Sequence, residues 1–399
     1  MGMSFSAFLE QKGREYAGFD PNRAKRLYKQ LSANLSLPPH AIQILGTNGK
    51  GSTGRFLAQA LQSAGKSTLH FTSPHLLDIS ERFYKNGACV CHEALDAVQE
   101  FLQGFDFLQE ASYFEYVTFA ALFLAQDVEY LIMEAGIGGE FDATSCLDYE
   151  LNIFTSISTD HQELLGESIA EIAATKLRAM GRRALLAKQN HKEVLSIAKE
   201  IATQKNAELF LAKSCDWDFL DSFSLANPSA ADVMAVTHQT TSQNFATPPL
   251  APFLRENLHT ACCALRLLGF APPNFPMQLD LRARFEKIAP NIILDVGHNE
   301  DASLQIAQIL RGEKIHLIYN SYAQKNVRPI LLNLRENIEL LEILPIKHPR
   351  ILQQSILEEI LKELEIPYQI FAKILPQKNY LVFGSFSVVE AFLRGGYAK

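Results

Sequence analysis

Residues 41–53 read Ala41-Ile42-Gln43-Ile44-Leu45-Gly46-Thr47-Asn48-Gly49-Lys50-Gly51-Ser52-Thr53. A mostly apolar run, Ala41 to Leu45, enters a glycine-rich turn holding one lysine and several hydroxyls, and Phe56, Leu57, Ala60 and Leu61 follow at helical spacing. Strand, glycine loop and helix form the context a phosphate-binding loop requires. Glycines let backbone N–H groups approach phosphate oxygens, and Lys50 adds a mobile positive charge. The usual pattern puts a hydroxyl directly after the lysine, whereas here Gly51 intervenes and Ser52 comes one place later. Such a turn can be purely structural; lysine and hydroxyls together point to a nucleoside triphosphate held by residues 46–53.

At 399 residues, the chain is long enough for two or three domains at about 150 residues each. An apolar fraction of 47% suffices for large cores. A net charge of −7 and a pI near 5.9 speak against a general nucleic-acid binder, whose footprint is basic. Cys89, Cys91, Cys146, Cys215, Cys262 and Cys263 show no C-x-x-C pair or zinc spacing, so reduced thiols are expected. Met1 to Tyr16 is polar and amphipathic, without the apolar block of a secretory leader. The longest apolar stretch, Tyr116 to Ala125, is about half the ~20 residues a membrane span needs. The expectation is a cytoplasmic monomer with small-molecule partners and neither nucleic-acid nor membrane partners.

Strand and helix patterns alternate, which favours a parallel α/β sheet. Strands are expected at Ile42–Leu45, Ser67–Thr72, Tyr130–Glu134, Leu151–Thr155, Ala184–Ala187 and Glu208–Leu211. Helical patterns cover Gly54–Ala64, Glu115–Gln126, Ile169–Arg178, His191–Lys205 and Arg255–Leu268. Between Trp217 and Pro249 the texture turns to Ser, Thr, Asn and Pro, which reads as short antiparallel strands or irregular cover. Gly269, Pro272 and Pro273 then close the fifth helix. The rhythm restarts with strands at Ile292–Val296, Ile315–Tyr319, Glu339–Leu344 and Tyr380–Phe383, and helices at Leu304–Leu310, Val327–Asn337 and Ile351–Leu364. The expected architecture is two α/β domains: residues 1–282 as a P-loop ATPase-like parallel sheet flanked by helices, and residues 283–399 as a smaller Rossmann-like unit.

In an open parallel sheet, chemistry collects at the carboxyl ends of the strands. Thr72-Ser73-Pro74-His75, Glu134 before Ala135-Gly136-Ile137-Gly138-Gly139, and Asp160-His161 all fall at such ends. A carboxylate, a hydroxyl and an imidazole near a phosphate loop are donors for a divalent ion; Mg²⁺ takes oxygen ligands and phosphates, with histidine tolerated. Taken singly, Ser73 before a proline also reads as a turn residue, and His161 as a loop cap. An acid ending an apolar strand, as Glu134 does, has no evident role in a core.

Gly46 to Ser52 resembles the phosphate loop of the folylpolyglutamate and dihydrofolate synthases, members of the Mur ligase superfamily, in which glycine after the lysine is the rule. The resemblance runs in order through Phe71-Thr72-Ser73-Pro74-His75-Leu76-Leu77, Glu81-Arg82, Asn86-Gly87, Phe114-Glu115-Tyr116-Val117-Thr118, Glu134 to Gly139, Asp142-Ala143-Thr144 and Asp160-His161. It continues at Arg284-Phe285-Glu286, Asp295-Val296-Gly297-His298-Asn299 and Gly384-Ser385-Phe386. It implies an N-terminal ATP-binding domain and a C-terminal glutamate-ligase-type domain. The implied enzyme is an ATP-dependent acid–amino-acid ligase that joins L-glutamate to dihydropteroate, or extends folates with γ-linked glutamates, through an acyl phosphate. A Mur-type ligase acting on a UDP-muramyl peptide is the alternative, though only about 40 residues precede the loop and such enzymes carry an extra N-terminal domain. A nucleotide-binding ATPase module without ligase chemistry is the third reading.

Position by position, the resemblance gives Lys50 and the loop amides to the ATP phosphates, and Ser52, Ser73, Glu134 and His161 to Mg²⁺ at two sites. Lys176 matches a lysine that can be carbamylated and so become an oxygen ligand; on sequence alone it reads as a solvated helix lysine. Asn257, Arg284 and Asp295 match nucleotide-side groups, and His298 and Ser385 match positions near the incoming glutamate. Lys50, His161, Lys176 and His298 are thereby the catalytic candidates. Phe114, Asp142 and Ala143 match a pterin pocket, although Phe114 also reads as a core aromatic. The chain departs from the family at Thr175 and Leu177, at Glu140-Phe141, and at Tyr319 to Asn326, where only Lys325 agrees.

Overall fold

The computed structural model describes residues 3–12, 20–212, 223–225, 250–273 and 277–397. The chain divides into two compact units, one of Met1–Leu250 with Leu254–Leu279, the other of Ala251–Phe253 with Asp280–Lys399.

The larger unit opens with helices α1 (Phe5–Lys12) and α2 (Arg23–Leu31). Strand β1 (His40–Leu45) leads into α3 (Lys50–Ser63), then β2 (Thr68–Phe71), β3 (Phe83–Lys85), β4 (Ala88–Cys89), α4 (His92–Gln103), α5 (Tyr113–Leu124) and β5 (Tyr130–Glu134). Next come β6 (Leu151–Phe154), the short α6 (Gln162–Leu165), α7 (Ile169–Leu177), β7 (Arg183–Leu186), α8 (Lys192–Lys205), β8 (Glu208–Ala212), β9 (Phe223–Leu225) and α9 (Pro252–Leu267). Of the expected change in texture between Trp217 and Pro249, only β9 falls within the described residues, and it pairs antiparallel with β8.

The nine strands form one sheet in the order β4-β3-β2-β5-β1-β6-β7-β8-β9. Strands β2, β5, β1, β6, β7 and β8 are parallel, and antiparallel pairings occur only toward the edges. Strand β5 is buried along its whole length and β1 from Ile42 onward because helices cover both faces of a parallel sheet. On one side Ile42 and Ile44 pack with Phe56, Leu57 and Leu61 of α3; elsewhere Leu45 packs with Phe154, Ile172 and Leu177.

The smaller unit holds β10 (Glu286–Ala289), β11 (Ile292–Leu294), α10 (Glu300–Ile309), β12 (Ile315–Tyr319), α11 (Val327–Leu334), β13 (Ile338–Ile343), α12 (Gln354–Glu363), β14 (Tyr368–Ile370), β15 (Tyr380–Phe383) and α13 (Phe386–Arg394). Its sheet runs β10-β11-β15-β12-β13-β14, parallel except for β10. Leu317, Leu331, Leu341, Leu357 and Leu361 centre its core. Both units are thus parallel-dominated α/β layers.

Candidate active site

The loop after β1 is shaped by close approaches that only glycine permits. Gly46 has φ +135°, and a Cβ there would lie 2.1 Å from Thr155 Oγ1. Gly49 has φ +87°, and a Cβ would lie 2.4 Å from Asn257 Oδ1, so the structure sets Asn257 of α9 against the loop. Thr47 N and Asn48 N both donate to Ser156 O, at 2.8 and 3.1 Å, which ties the loop to the exit of β6. Gly49 ends this turn, and helix α3 winds from Lys50. Its first N–H groups have no intrahelical acceptor, and the helix dipole favours an anion there. Lys50 Nζ donates to Thr47 O at 3.2 Å. Ser52 and Thr53 are buried in that first turn.

Strand order brings the other predicted groups to the same edge of the sheet. β2, β5, β1 and β6 are neighbours, with Ile44 level with Glu134 and Phe71 level with Met133. Glu134 is 4% exposed. A carboxylate so buried is costly unless hydrogen-bonded. Thr72 Oγ1 donates a short hydrogen bond to Glu134 Oε2, and Ser73 N donates to the same oxygen at 3.1 Å. Thr72 is a residue the motif reading passed over as a functional group; a hydroxyl directly before Ser73, at the end of a strand, was the available signal.

His161 adopts φ 50° at the start of α6, a conformation uncommon outside glycine and found often at functional sites. Its imidazole lies 3.9 Å from Asp160 and 3.7 Å from Glu163. Among the described residues no cluster of three or more His, Cys, Asp and Glu could hold a metal. Ser52, Ser73, Glu134 and His161 instead offer hydroxyl and carboxylate oxygens with one imidazole. That set fits Mg²⁺, which usually keeps few protein ligands and completes its shell with phosphates and water.

Lys176 is not a solvated lysine. It is 4% exposed on α7, and its Nζ donates to Gly46 O at 3.0 Å. Burial, reinforced by the positive charge of Lys50, pushes its pKa down to about 7. Gly139 makes this burial possible: a Cβ there would lie 2.5 Å from Lys176 O, so the glycine run and α7 meet backbone to backbone. The family departure at Glu140 faces Arg178 across 3.6 Å.

Phe114, Gly136 and Asp142 come together. A Cβ on Gly136 would meet the Phe114 ring at 2.8 Å and Asp142 Oδ2 at 3.3 Å. Phe114 packs beside Phe71, ring centroids 6.0 Å apart. Asp142 is buried and accepts from Ile137 N at 3.0 Å and from Thr144 N at 2.9 Å. Burial raises its pKa against the pull of these bonds. Ala143 opens the short helical turn that Asp142 caps.

In the smaller unit, Ala283 and Phe285 have φ 56° and 52° on either side of Arg284. Neither is glycine, so this strained backbone must be held from outside. Asp295, 5% exposed, accepts from Phe285 N at 2.8 Å and from Gly297 N at 2.7 Å. Glu286 accepts from Ala283 N at 2.7 Å. Asp295 thus shapes the turn that presents Arg284, whose guanidinium lies 5.0 Å from the Phe386 ring centre. The His298 Nδ1 lies 3.0 Å from Val296 O. Ser385 is buried, and its hydroxyl accepts from Val388 N to cap α13.

A phosphate-type loop on a parallel sheet, with acid and hydroxyl groups at the same strand edge, defines a nucleotide-dependent α/β enzyme. Residues 44–247, about half of the chain, match the family described as Mur ligase middle domain. The solved Helicobacter pylori folylpolyglutamate synthetase is 36% identical, covers 99% of this chain and 98% of its own, and superposes with a TM-score of 0.76. A dihydrofolate synthase/folylpolyglutamate synthase of Buchnera aphidicola is 27% identical over 94% of both chains. The bifunctional enzyme of Yersinia pestis, solved with AMPPNP and a Mn ion, shares the fold at TM-score 0.79 with 22% identity. The chain belongs to the dihydrofolate synthase/folylpolyglutamate synthase family of the Mur ligase superfamily, and it is an ATP-dependent ligase. No helix among the described residues is long and apolar enough to cross a membrane.

Proposed function

We propose that this protein joins L-glutamate to dihydropteroate and also extends folates by γ-linked glutamates. The observation that carries this reading is the grouping of Phe114, Gly136 and Asp142 in the same unit as the phosphate loop. An aromatic face beside a buried carboxyl suits a flat, hydrogen-bonding pterin ring.

In this reading ATP phosphorylates the pteroate carboxylate, the glutamate amine attacks the acyl phosphate, and phosphate leaves as the amide forms. The obstacle in the first step is an anion approaching an anion. The α3 N-terminus and Lys50 offset that charge, and residues 46–53 orient the phosphates. Mg²⁺, when bound, supplies Lewis-acid neutralisation of phosphate oxygens, and Ser52, Ser73, Glu134 and His161 are the residues that would hold it, at two sites. A lysine with a pKa of about 7 is substantially neutral at physiological pH, and a neutral amine can take up CO₂. We assign Lys176 as a carbamate ligand from the family resemblance and from its buried place beside the phosphate loop, where Nζ lies 3.0 Å from Gly46 O.

Asn257, Arg284 and Asp295 are assigned to the nucleotide, Asp295 to the ribose, and His298 and Ser385 to glutamate. Residues 1–282 then form the ATP-binding domain and 283–399 the glutamate-ligase-type domain of a cytoplasmic monomer. The test is phosphate release from ATP with glutamate and dihydropteroate, then with tetrahydrofolate, with mass analysis of products. Amide products with both substrates support the proposal, release with dihydropteroate alone limits it to the synthase step, and release with neither refutes it.

A further inference from the structure

Gln43 is a polar residue at the centre of an apolar, parallel strand covered on both faces. It is 1% exposed. Side chains alternate along a strand, and Ile42 and Ile44 pack on α3, so Gln43 faces away from the nucleotide helix. A buried amide in such a place is unfavourable unless its donors and acceptor are used.

They are used, and they run in one direction. Gly181 N donates to Asn152 Oδ1 at 2.8 Å, and Asn152 Nδ2 donates to Gln43 Oε1 at 2.9 Å. Asn152 stands level with Gln43 on neighbouring β6. Gln43 Nε2 then donates to Thr144 Oγ1 at 2.9 Å and to Ser145 Oγ at 2.8 Å. Thr144 Oγ1 donates to Asp142 Oδ1 at 2.7 Å, and Ser145 Oγ donates to Gly139 O at 2.6 Å. Both ends of the glycine run are therefore reached: Gly139 through Ser145, and the Gly136–Ile137 end through Thr144 and Asp142, which accepts from Ile137 N.

We propose that Gln43 is a positioning residue for the pteroate substrate. Through Thr144 and Ser145 it fixes Asp142 and the 136–139 turn opposite Phe114, while touching no substrate itself. This rests on the reading of Phe114 and Asp142 as the pterin side. A methionine at 43 keeps nearly the same volume and removes every hydrogen bond, leaving two hydroxyls and Asn152 to find new partners.

The experiment is steady-state kinetics with dihydropteroate, ATP and glutamate on Gln43→Met, Thr144→Val and Phe114→Ala, with circular dichroism of each. For Gln43→Met and Thr144→Val the dihydropteroate KM should rise about tenfold, while kcat and the ATP KM stay within about twofold. The double variant should be no worse than the poorer single one, because both cut one chain of bonds. If Gln43→Met fails to fold, Thr144→Val, which breaks the chain from the loop end, carries the test alone. Dihydropteroate and ATP KM rising together would overturn the inference, since strand β1 would then act on the loop. Phe114→Ala raising the dihydropteroate KM while the other two leave it unchanged would also overturn it, with the pterin-side reading intact. Phe114→Ala without effect would remove that reading and the inference with it.

Discussion

Lys176 Nζ donates to the backbone carbonyl of Gly46 at 3.0 Å. A side chain from α7 thus reaches the first residue of the phosphate loop, some 130 positions earlier in the chain, and does so from a site where burial opposes its charge.

That opposition sets a pH dependence. The folded lysine has a pKa of about 7 against an ordinary lysine value of 10.5, so between those values the unfolded chain binds more protons and stability rises with pH. Below about pH 7 both states are protonated and the penalty of a buried cation is present in full. Lys176→Met removes it. In CO₂-free buffer the variant should melt at higher temperature than the parent at pH 6.5. The difference in stability between the two should narrow toward pH 10 by an amount on the order of a few kcal/mol. Thermal unfolding across pH measures it, and parallel curves would refute the prediction. The same variant should lose ligase turnover.

Lys50→Ala should leave the circular dichroism spectrum unchanged and lower kcat by roughly 10²-fold or more, the scale for removing one donor to developing charge. Near-normal phosphate release in that variant would refute the assignment of residues 46–53 to ATP.

Gly136→Ala would place a methyl 2.8 Å from the Phe114 ring. Displacing that ring should weaken dihydropteroate about tenfold and leave the ATP KM unchanged. Substrate titration monitored by phosphate release separates the two.

Thr72→Val deletes the hydroxyl that donates to the buried Glu134. A hydrogen bond to a carboxylate contributes about 1.5–3 kcal/mol, so unfolding should shift to lower temperature and Mg²⁺-dependent turnover should fall. Thr72→Ser, which keeps the hydroxyl, should restore most of both. Equal damage in the two variants would show that the methyl packing matters rather than the bond.

The central strands were legible because apolar runs of four to six residues stand out against the helical spacing between them, and Tyr130–Glu134, Ile315–Tyr319 and Tyr380–Phe383 were delimited as they occur. The short strands Phe83–Lys85, Ala88–Cys89, Glu286–Ala289 and Tyr368–Ile370 offer too few residues for a period to show. Helix α3 was expected from Gly54 because residues 46–53 were read as the phosphate loop; it starts at Lys50, directly after Gly49 in the left-handed conformation. Helix α13 went unread although Ser385 caps it. The candidate residues were legible as motif positions, but their settings were not. Nothing in Ala174-Thr175-Lys176 announces burial, which depends on Gly139 lying far away in sequence. Gln43 carried a fainter signal, a lone amide in an apolar strand, whose meaning depends on Asn152 and Thr144.

The backbone contact at Gly139 also bears on how this enzyme could be altered. A side chain at 139 would have to displace the main chain at Thr175 and Lys176, so that position offers no route to variation. Glu140 and the 47%-exposed Phe141 adjoin the same turn without that restriction. A mutant library aimed at new substrates should therefore randomise 140 and 141 and hold 139 fixed, because diversity at 139 would select against folded protein before it could select for specificity.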